Sequence, residues 1–533
     1  MCLSPPTSAV QTRLVPAFRA LLLTLAILLL AGACGGGGSG NATISPGVSP
    51  TPSAEASATA TPSGAALQRV TFYGADEGDQ AAAIVSGDFN GDGVQDVVMG
   101  ADLGDGPDNK RRDSGEAYLF LGPFQPGSSL DAAAGDYDAV FYGAAAGDNF
   151  ARTLIAGDFN HDGTEDLAIG APSASGQAGA VYVMFGAEWP HQTDFASTDP
   201  DVLIRGAGAG DFAGIATAAG DLDADGITDL AIGALLADGP QGDRADAGAV
   251  YVVNGRQLLP GDTIDLQGST SAVYGARPGD HLGESLTTGD LNGDGKADLL
   301  AVATFSGGPD GSRGGAGETY IIDSPATLPI DLATAATQFQ VLGADPGDQL
   351  GHSIAVGDTN GDGAGDIWLG AVSADGPNNQ LDLAGEAALA LGGAARTGLL
   401  DAASGGMNAT IYGAEAEARL GRSLASGDLN NDGKADLLVS APNVAERAGK
   451  VFGFYGGGPY PADTTGAEIT LTGTDPGDLL GHESFGQPSL GIADVDGDGE
   501  TDVLVAAPGA DGPDNGRAAC GEAYLILGPA LSG

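Results

Sequence analysis

Beyond residue 67 the apolar positions fall in short continuous runs: VVMG after Asp96, LAIG after Asp166, LAIG after Asp229 and IWLG after Asp366. Runs of this length fit strands covered on both faces. Polar turns rich in Gly, Asp and Asn separate them, and no long helix is expected after residue 34. Ahead of each run stands a nine-residue pattern, DxNxDGxxD with Asp allowed for Asn. It begins at Asp88, Asp158, Asp221, Asp290, Asp358, Asp428 and Asp494, at spacings of 63 to 70 residues. Self-similarity at a fixed period marks a repeat architecture. Every copy has the same frame: an apolar stretch ending in Tyr-Gly-Ala or similar, a Gly-Asp turn, a short strand, the acidic loop, a strand, a Gly-rich loop, and a strand such as AYLFLG or AVYVMFG.

Four short strands per repeat make a propeller blade, and seven blades is within the usual range. The expected fold is all-β, a seven-bladed β-propeller of four-stranded antiparallel blades over residues 67–533. Counting blade strands from the one before the acidic loop, the chain starts on a fourth strand, Arg69 to Tyr73, and ends on a third, Ala523 to Leu527. Pairing these two completes the seventh blade from both termini and removes exposed edges.

The N-terminal residues have another pattern. Arg13 and Arg19 precede the apolar run Ala20 to Leu30, and small residues lead to Cys34, the layout of an export signal over 1–33. The Ala33–Cys34 step resembles a bacterial lipobox, with Ala31 where Leu is usual, and also fits an ordinary signal peptidase site. A lipid on Cys34 would hold the protein at a membrane; cleavage alone would secrete it. Residues 34–66 are Gly, Ser, Thr, Pro and Ala with one charge, a flexible linker. Composition then narrows the partners. The chain has 71 acidic and 20 basic residues, a net charge of −51, which excludes nucleic acid as a partner. Three cysteines cannot build a disulfide framework.

The acidic loops carry the strongest chemical signal. Positions 1, 3, 5 and 9 place oxygen donors at alternate residues, and Gly at position 6 allows a sharp turn, which suits Ca²⁺. The candidate ligands are Asp88, Asn90, Asp92 and Asp96; Asp158, Asn160, Asp162 and Asp166; Asp221, Asp223, Asp225 and Asp229; Asp290, Asn292, Asp294 and Asp298; Asp358, Asn360, Asp362 and Asp366; Asp428, Asn430, Asp432 and Asp436; and Asp494, Asp496, Asp498 and Asp502. Up to seven Ca²⁺ ions are expected. Position 12, where an EF-hand has Glu, is Met99, Ile169 or Ile232, so this is a strand-to-strand loop. A charge-rich turn is ordinarily a solvated hairpin, but seven copies in one frame favour metal.

With these motifs on the page, the repeat resembles the FG-GAP repeat of integrin alpha-subunit propellers. The resemblance rests on LGESL (282–286), LGHSI (350–354), LGRSL (420–424), GDLNGDGKADLL (289–300), Gly-Ala-Pro at 170–172 and SAP at 440–442. It covers residues 68–533. It implies seven blades, calcium in the loop joining strands 1 and 2, and binding through loops on the opposite face. All seven blades keep the calcium loop and no second integrin-like domain follows, so bacterial FG-GAP lipoproteins are the nearer kin it suggests.

The loops between strands 2 and 3 lie on that opposite face and carry Lys110, Arg111, Arg112, Arg244, Arg313, Arg447 and Arg517. They are candidates for binding an acidic protein or a glycan; the alternative is pairing with Asp108, Asp113, Asp243, Asp310 or Asp514. Gly-x-Ser at Ser285, Ser353 and Ser423 lacks the second Gly of a nucleophile elbow. His281, His352 and His482 precede calcium loops and could line the central opening, although isolated, exposed histidines are the favoured reading, and no catalytic motif is visible. A monomeric binding and adhesion module is the favoured reading, with a hydrolase or lyase acting in a central propeller pocket as the alternative.

Overall fold

Second strands follow each acidic loop and are buried along their whole length, from Asp96–Ala101 in the first blade to Asp502–Ala507 in the last. The structure, a computed structural model, describes residues 68–324, 327–335, 339–394, 396–483 and 489–528. The expected signal segment, Cys34 and the linker to residue 66 lie outside them.

Seven antiparallel blades are built as expected. Blade 1 runs from its innermost strand, Ala83–Gly87, through Asp96–Ala101 and Glu116–Phe120 to Ala139–Tyr142. Inner strands pack in sequence around the axis, and Leu490–Ala493 of blade 7 meets Ala83–Gly87 of blade 1. The closure is the one the frame of the ends implies. Arg69–Tyr73 pairs antiparallel with Glu522–Ile526, in the register Arg69↔Ile526 to Tyr73↔Glu522. Apolar cores lie between neighbours: Phe72, Phe120 and Met99 share one cluster with Leu504 and Leu525.

Five of the seven sheets have a fifth strand that the repeat pattern did not announce. Gln192–Asp194, on the way to the outer strand of blade 2, pairs in parallel with the outer strand of blade 1. Ser129–Asp131, Asp262–Asp265, Ile330–Asp331 and Gly398–Asp401 do the same for blades 7, 2, 3 and 4. In these five sheets, among the described residues, the following blade thus covers the open edge of the one before it.

The Gly of the Tyr-Gly-Ala motif has a steric cause. Where the outer strand ends, the backbone presses on the loop between strands 2 and 3. A Cβ at Gly74 would lie 2.1 Å from the Cys520 carbonyl oxygen, and one at Gly206 would lie 1.8 Å from that of Ala178.

Candidate metal centres, the loop face and the central cluster

Each acidic loop winds around its position-1 carboxylate. In the first, Asp88 accepts the amides of Asp92 (3.1 Å) and Gly93 (2.9 Å), Asn90 accepts Asp92 N–H (2.8 Å), and Asp92 accepts Val94 N–H (2.9 Å). Gly93 has φ 86°, the left-handed turn that the pattern demands at position 6. All four bonds recur in loops 2, 3, 4 and 6, and three of the four in loops 5 and 7.

Position 9 has a job that spacing alone does not reveal. All seven of these aspartates are fully buried at the start of the second strand. Asp96 accepts the Phe89 amide on one oxygen and the Gly122 amide on the other, at 3.2 and 3.0 Å; Asp229 does so with Leu222 and Gly255, both at 2.9 Å. The carboxylate staples the loop to the exit of the third strand. Burial pushes Asp96 up to about 6 and Asp166 to about 7, against the lowering effect of those amides.

The donor set fits a hard divalent cation. Carboxylate oxygens of Asp221, Asp223 and Asp225 lie within 4.8 Å of one another, as do those of Asp494, Asp496 and Asp498. An amide-bonded carboxylate still has unused lone pairs, so position 9 keeps capacity for an ion. Like charge from Asp498 and Asp494 adds to burial in raising Asp496, repulsion that a cation relieves. In blade 3, Arg256 already sits 2.5 Å from Asp225.

Neighbouring acidic loops are linked. Glu165 of the second accepts the Asp88 amide of the first at 2.7 Å, and Asp290 and Asp358 accept the amides of Gly365 and Ala435 in the next blade.

On the opposite face, four of the candidate cations reach across to the neighbouring blade. Arg111 makes a two-pronged pair with Asp194 (2.7 and 2.8 Å), and Arg313 another with Asp401 (both 2.8 Å). Arg244 pairs with Asp331 and Arg517 with Asp131, at 2.5 and 2.7 Å. Asp194, Asp401, Asp331 and Asp131 each close one of the parallel fifth strands, so these arginines clamp loop, blade and neighbour together. Lys110 and Arg112 instead project, 74% and 84% exposed, beside Asp108 and Asp113; Arg447 is exposed too.

The axis holds a cluster of which the sequence reading raised only His352, as the less favoured alternative. Glu284, His352 and Arg422 occupy the variable position between Gly and Ser in the LGES, LGHS and LGRS segments, and Glu483 follows His482 in blade 7. All four are buried. His352 Nε2 lies 2.7 Å from Glu483, and its Nδ1 lies 3.9 Å from Glu284. His352 is therefore neither isolated nor exposed; the signal available was the charge at that one variable position. The serines are architectural: Ser353 donates to the Gly421 carbonyl of the next blade at 2.7 Å. A central cavity of about 160 Å³ is lined by Thr217, Ser285, Ser353 and Glu483 among others.

Comparison with known proteins agrees with this geometry. Segments 81–120, 150–184, 213–253, 282–322, 420–454 and 487–519 match the family model described as FG-GAP repeat. Blade 5 lies outside these segments, although it carries the loop at Asp358. Integrin alpha-PS2 of Drosophila melanogaster is 30% identical over 233 residues, 42% of this chain and 15% of that protein. Phosphatidylinositol-glycan-specific phospholipase D of Bos taurus is 27% identical over 410 residues, 72% of this chain and 46% of that protein. The chain thus spans less than half the length of either relative. Among solved structures, a rhamnogalacturonan lyase of Bacillus licheniformis aligns with TM-score 0.41 and 13% identity, over 85% of this chain and 74% of that chain.

Proposed function

Since the chain is an FG-GAP repeat β-propeller, we propose that it works as a calcium-stabilised binding module, exported and held at a membrane through Cys34, that recognises a protein or glycan. The carrying observation is the build of the long-loop face. Loops between strands 2 and 3 are pinned at four places by interblade arginine–aspartate pairs while Lys110 and Arg112 project from them. Recognition residues on loops held by a rigid scaffold are the common arrangement, and pinning lowers the ordering cost of binding.

Calcium in the DxNxDG loops would supply positive charge that holds clustered carboxylates together. Extracellular calcium modules bind at about 10⁻⁴ to 10⁻³ M. With free Ca²⁺ about tenfold above Kd, mass action gives about 1.4 kcal/mol per site. Seven independent sites give about 10 kcal/mol, within the range of a whole domain's stability. A chelator should therefore lower the melting temperature substantially, and an unchanged melt would count against structural calcium. For the ligand face, the test is binding to glycan and protein arrays with calcium present. The Lys110→Glu/Arg112→Glu variant should lose its hits at an unchanged melting temperature; retained binding would exclude this face.

The second reading, a hydrolase or lyase in the central pocket, has the His352–Glu483 contact in its favour. Size opposes it: about 160 Å³ is below the roughly 300–1,000 Å³ of ordinary small-molecule sites. Turnover on polysaccharide or phospholipid panels that His352→Gln abolishes would establish it.

A further inference from the structure

Where blade 7 hands over to blade 1, four acids meet on the face away from the DxNxDG loops. Asp76 and Asp79 come from the turn entering blade 1, Asp105 from the loop between its second and third strands, and Glu116 from the first position of its third strand. Asp79 is 4% exposed and Glu116 2%. The Oδ2 atom of Asp79 is buried without a hydrogen-bond partner. The charges of Glu116, Asp76 and Asp105 all bear on its carboxylate. A cavity of about 430 Å³ opens here, with Asp76, Glu116 and Tyr118 in its wall.

The set recurs in the same positions twice. Asp345, Asp348, Asp375 and Glu386 form it between blades 4 and 5, where Asp345, Asp348 and Glu386 line a cavity of about 410 Å³. Asp475, Asp478, Asp511 and Glu522 form it between blades 6 and 7, where Asp478 is 6% exposed, accepts the Asp475 amide at 2.8 Å and lies in the field of the Asp475 and Asp511 charges. An ionised carboxylate taken out of water without a counter-charge is strongly disfavoured; the first and third corners bury an aspartate, Asp79 and Asp478, the second is half-buried, and in each a positive charge would relieve the repulsion.

The corner between blades 3 and 4 shows what that is. Asp280 and Glu318 stand where Asp79 and Glu116 stand, but Arg277 replaces the equivalent of Asp76, and Gly307 that of Asp105. The Arg277 guanidinium lies 3.6 Å from Asp280 Oδ2 and 3.8 Å from Glu318. Asp280 Oδ2, like Asp79 Oδ2, is buried without a hydrogen-bond partner, and in this corner the nearby charge is the Arg277 guanidinium. In blades 2, 3 and 6 the Glu116 position is Ala180, Ala249 or Lys450, and no quartet exists. Within one chain the glutamate occurs with three further acids or with Arg277 in place of one of them, and at the Glu522 corner the charge of Arg69 also bears on the glutamate.

We propose that the three quartets each bind one divalent metal cation, calcium by their all-oxygen donor set, as sites separate from the DxNxDG loops, and that Arg277 permanently fills the fourth. The sites lock the loop face at three blade junctions.

The experiment counts calcium bound to the purified full-length protein by equilibrium dialysis and elemental analysis. Glu116→Gln, Glu386→Gln and Glu522→Gln should each remove one ion and the triple variant three, while Glu318→Gln removes none. Every variant keeps the seven DxNxDG loops, so the difference reports the corners whether or not those loops bind. Counts equal to wild type in the three single variants would overturn the proposal. If the glutamine variants do not fold, Tyr118→Phe/Tyr524→Phe preserves shape beside two corners, since Tyr524 donates to Glu522 at 2.6 Å. It should remove much of the tyrosine-sensitised emission of bound terbium; unchanged emission would overturn the proposal.

Discussion

Buried carboxylates at the heads of the second strands are held by backbone amides. Asp229 illustrates it: both oxygens are satisfied by amides from two separate loops, which is why a charge survives at full burial. His281 is the contrasting case. Its ring packs on Phe305 at 4.8 Å between centroids, and burial pulls its pKa down to about 4. The unfolded chain binds this proton near pH 6.5, so between about 6.5 and 4 the unfolded state holds more protons than the folded one. The stability His281 contributes is complete above that window and lost as pH falls through it. Urea midpoints measured at pH 7, 5.5 and 4.5 with saturating calcium should fall less steeply in His281→Gln than in wild type; parallel slopes would refute the assignment.

Blades depend on connections that cross from one to the next. The arginine–aspartate clamps are partly buried, and those of Arg111 and Arg313 are two-pronged, a geometry worth about 1 kcal/mol where single surface pairs are often worth less. A double-mutant cycle of Arg313→Met and Asp401→Asn should give a coupling energy of about 1 kcal/mol; coupling indistinguishable from zero would make the clamp incidental. This layer was hidden from sequence reading for a physical reason. Acidic loops and apolar second strands repeat in a fixed frame and announce themselves. A fifth strand such as Gln192–Asp194 has three residues, no hydrophobic alternation, and a partner some fifty positions earlier, so its pairing is set by tertiary placement alone. The clamps inherit that invisibility, because Arg313 and Asp401 are 88 residues apart. The axial cluster was hidden differently: one charged residue per repeat looks like surface variation until the ring gathers Glu284, His352 and Arg422 around one axis.

As a whole the molecule is a ring held shut by its own two ends. Deleting residues 67–75 should leave Glu522–Ile526 with an open edge and Ser129–Asp131 without a neighbour, so the expected product is an aggregating chain with a broadened melt. A sharp, monomeric melt by light scattering and calorimetry would show that the ring closes without this strand. The closure also decides how the molecule presents itself. The amide of Leu527 bonds to the carbonyl of Gln68 at 2.9 Å, so the chain enters and leaves blade 7 side by side, at the strand ends nearest the DxNxDG loops. A pull applied at Gln68 therefore acts on the side of the DxNxDG loops. Under the membrane attachment proposed above, such a pull would turn the acidic loops toward the attachment and the clamped loops away from it.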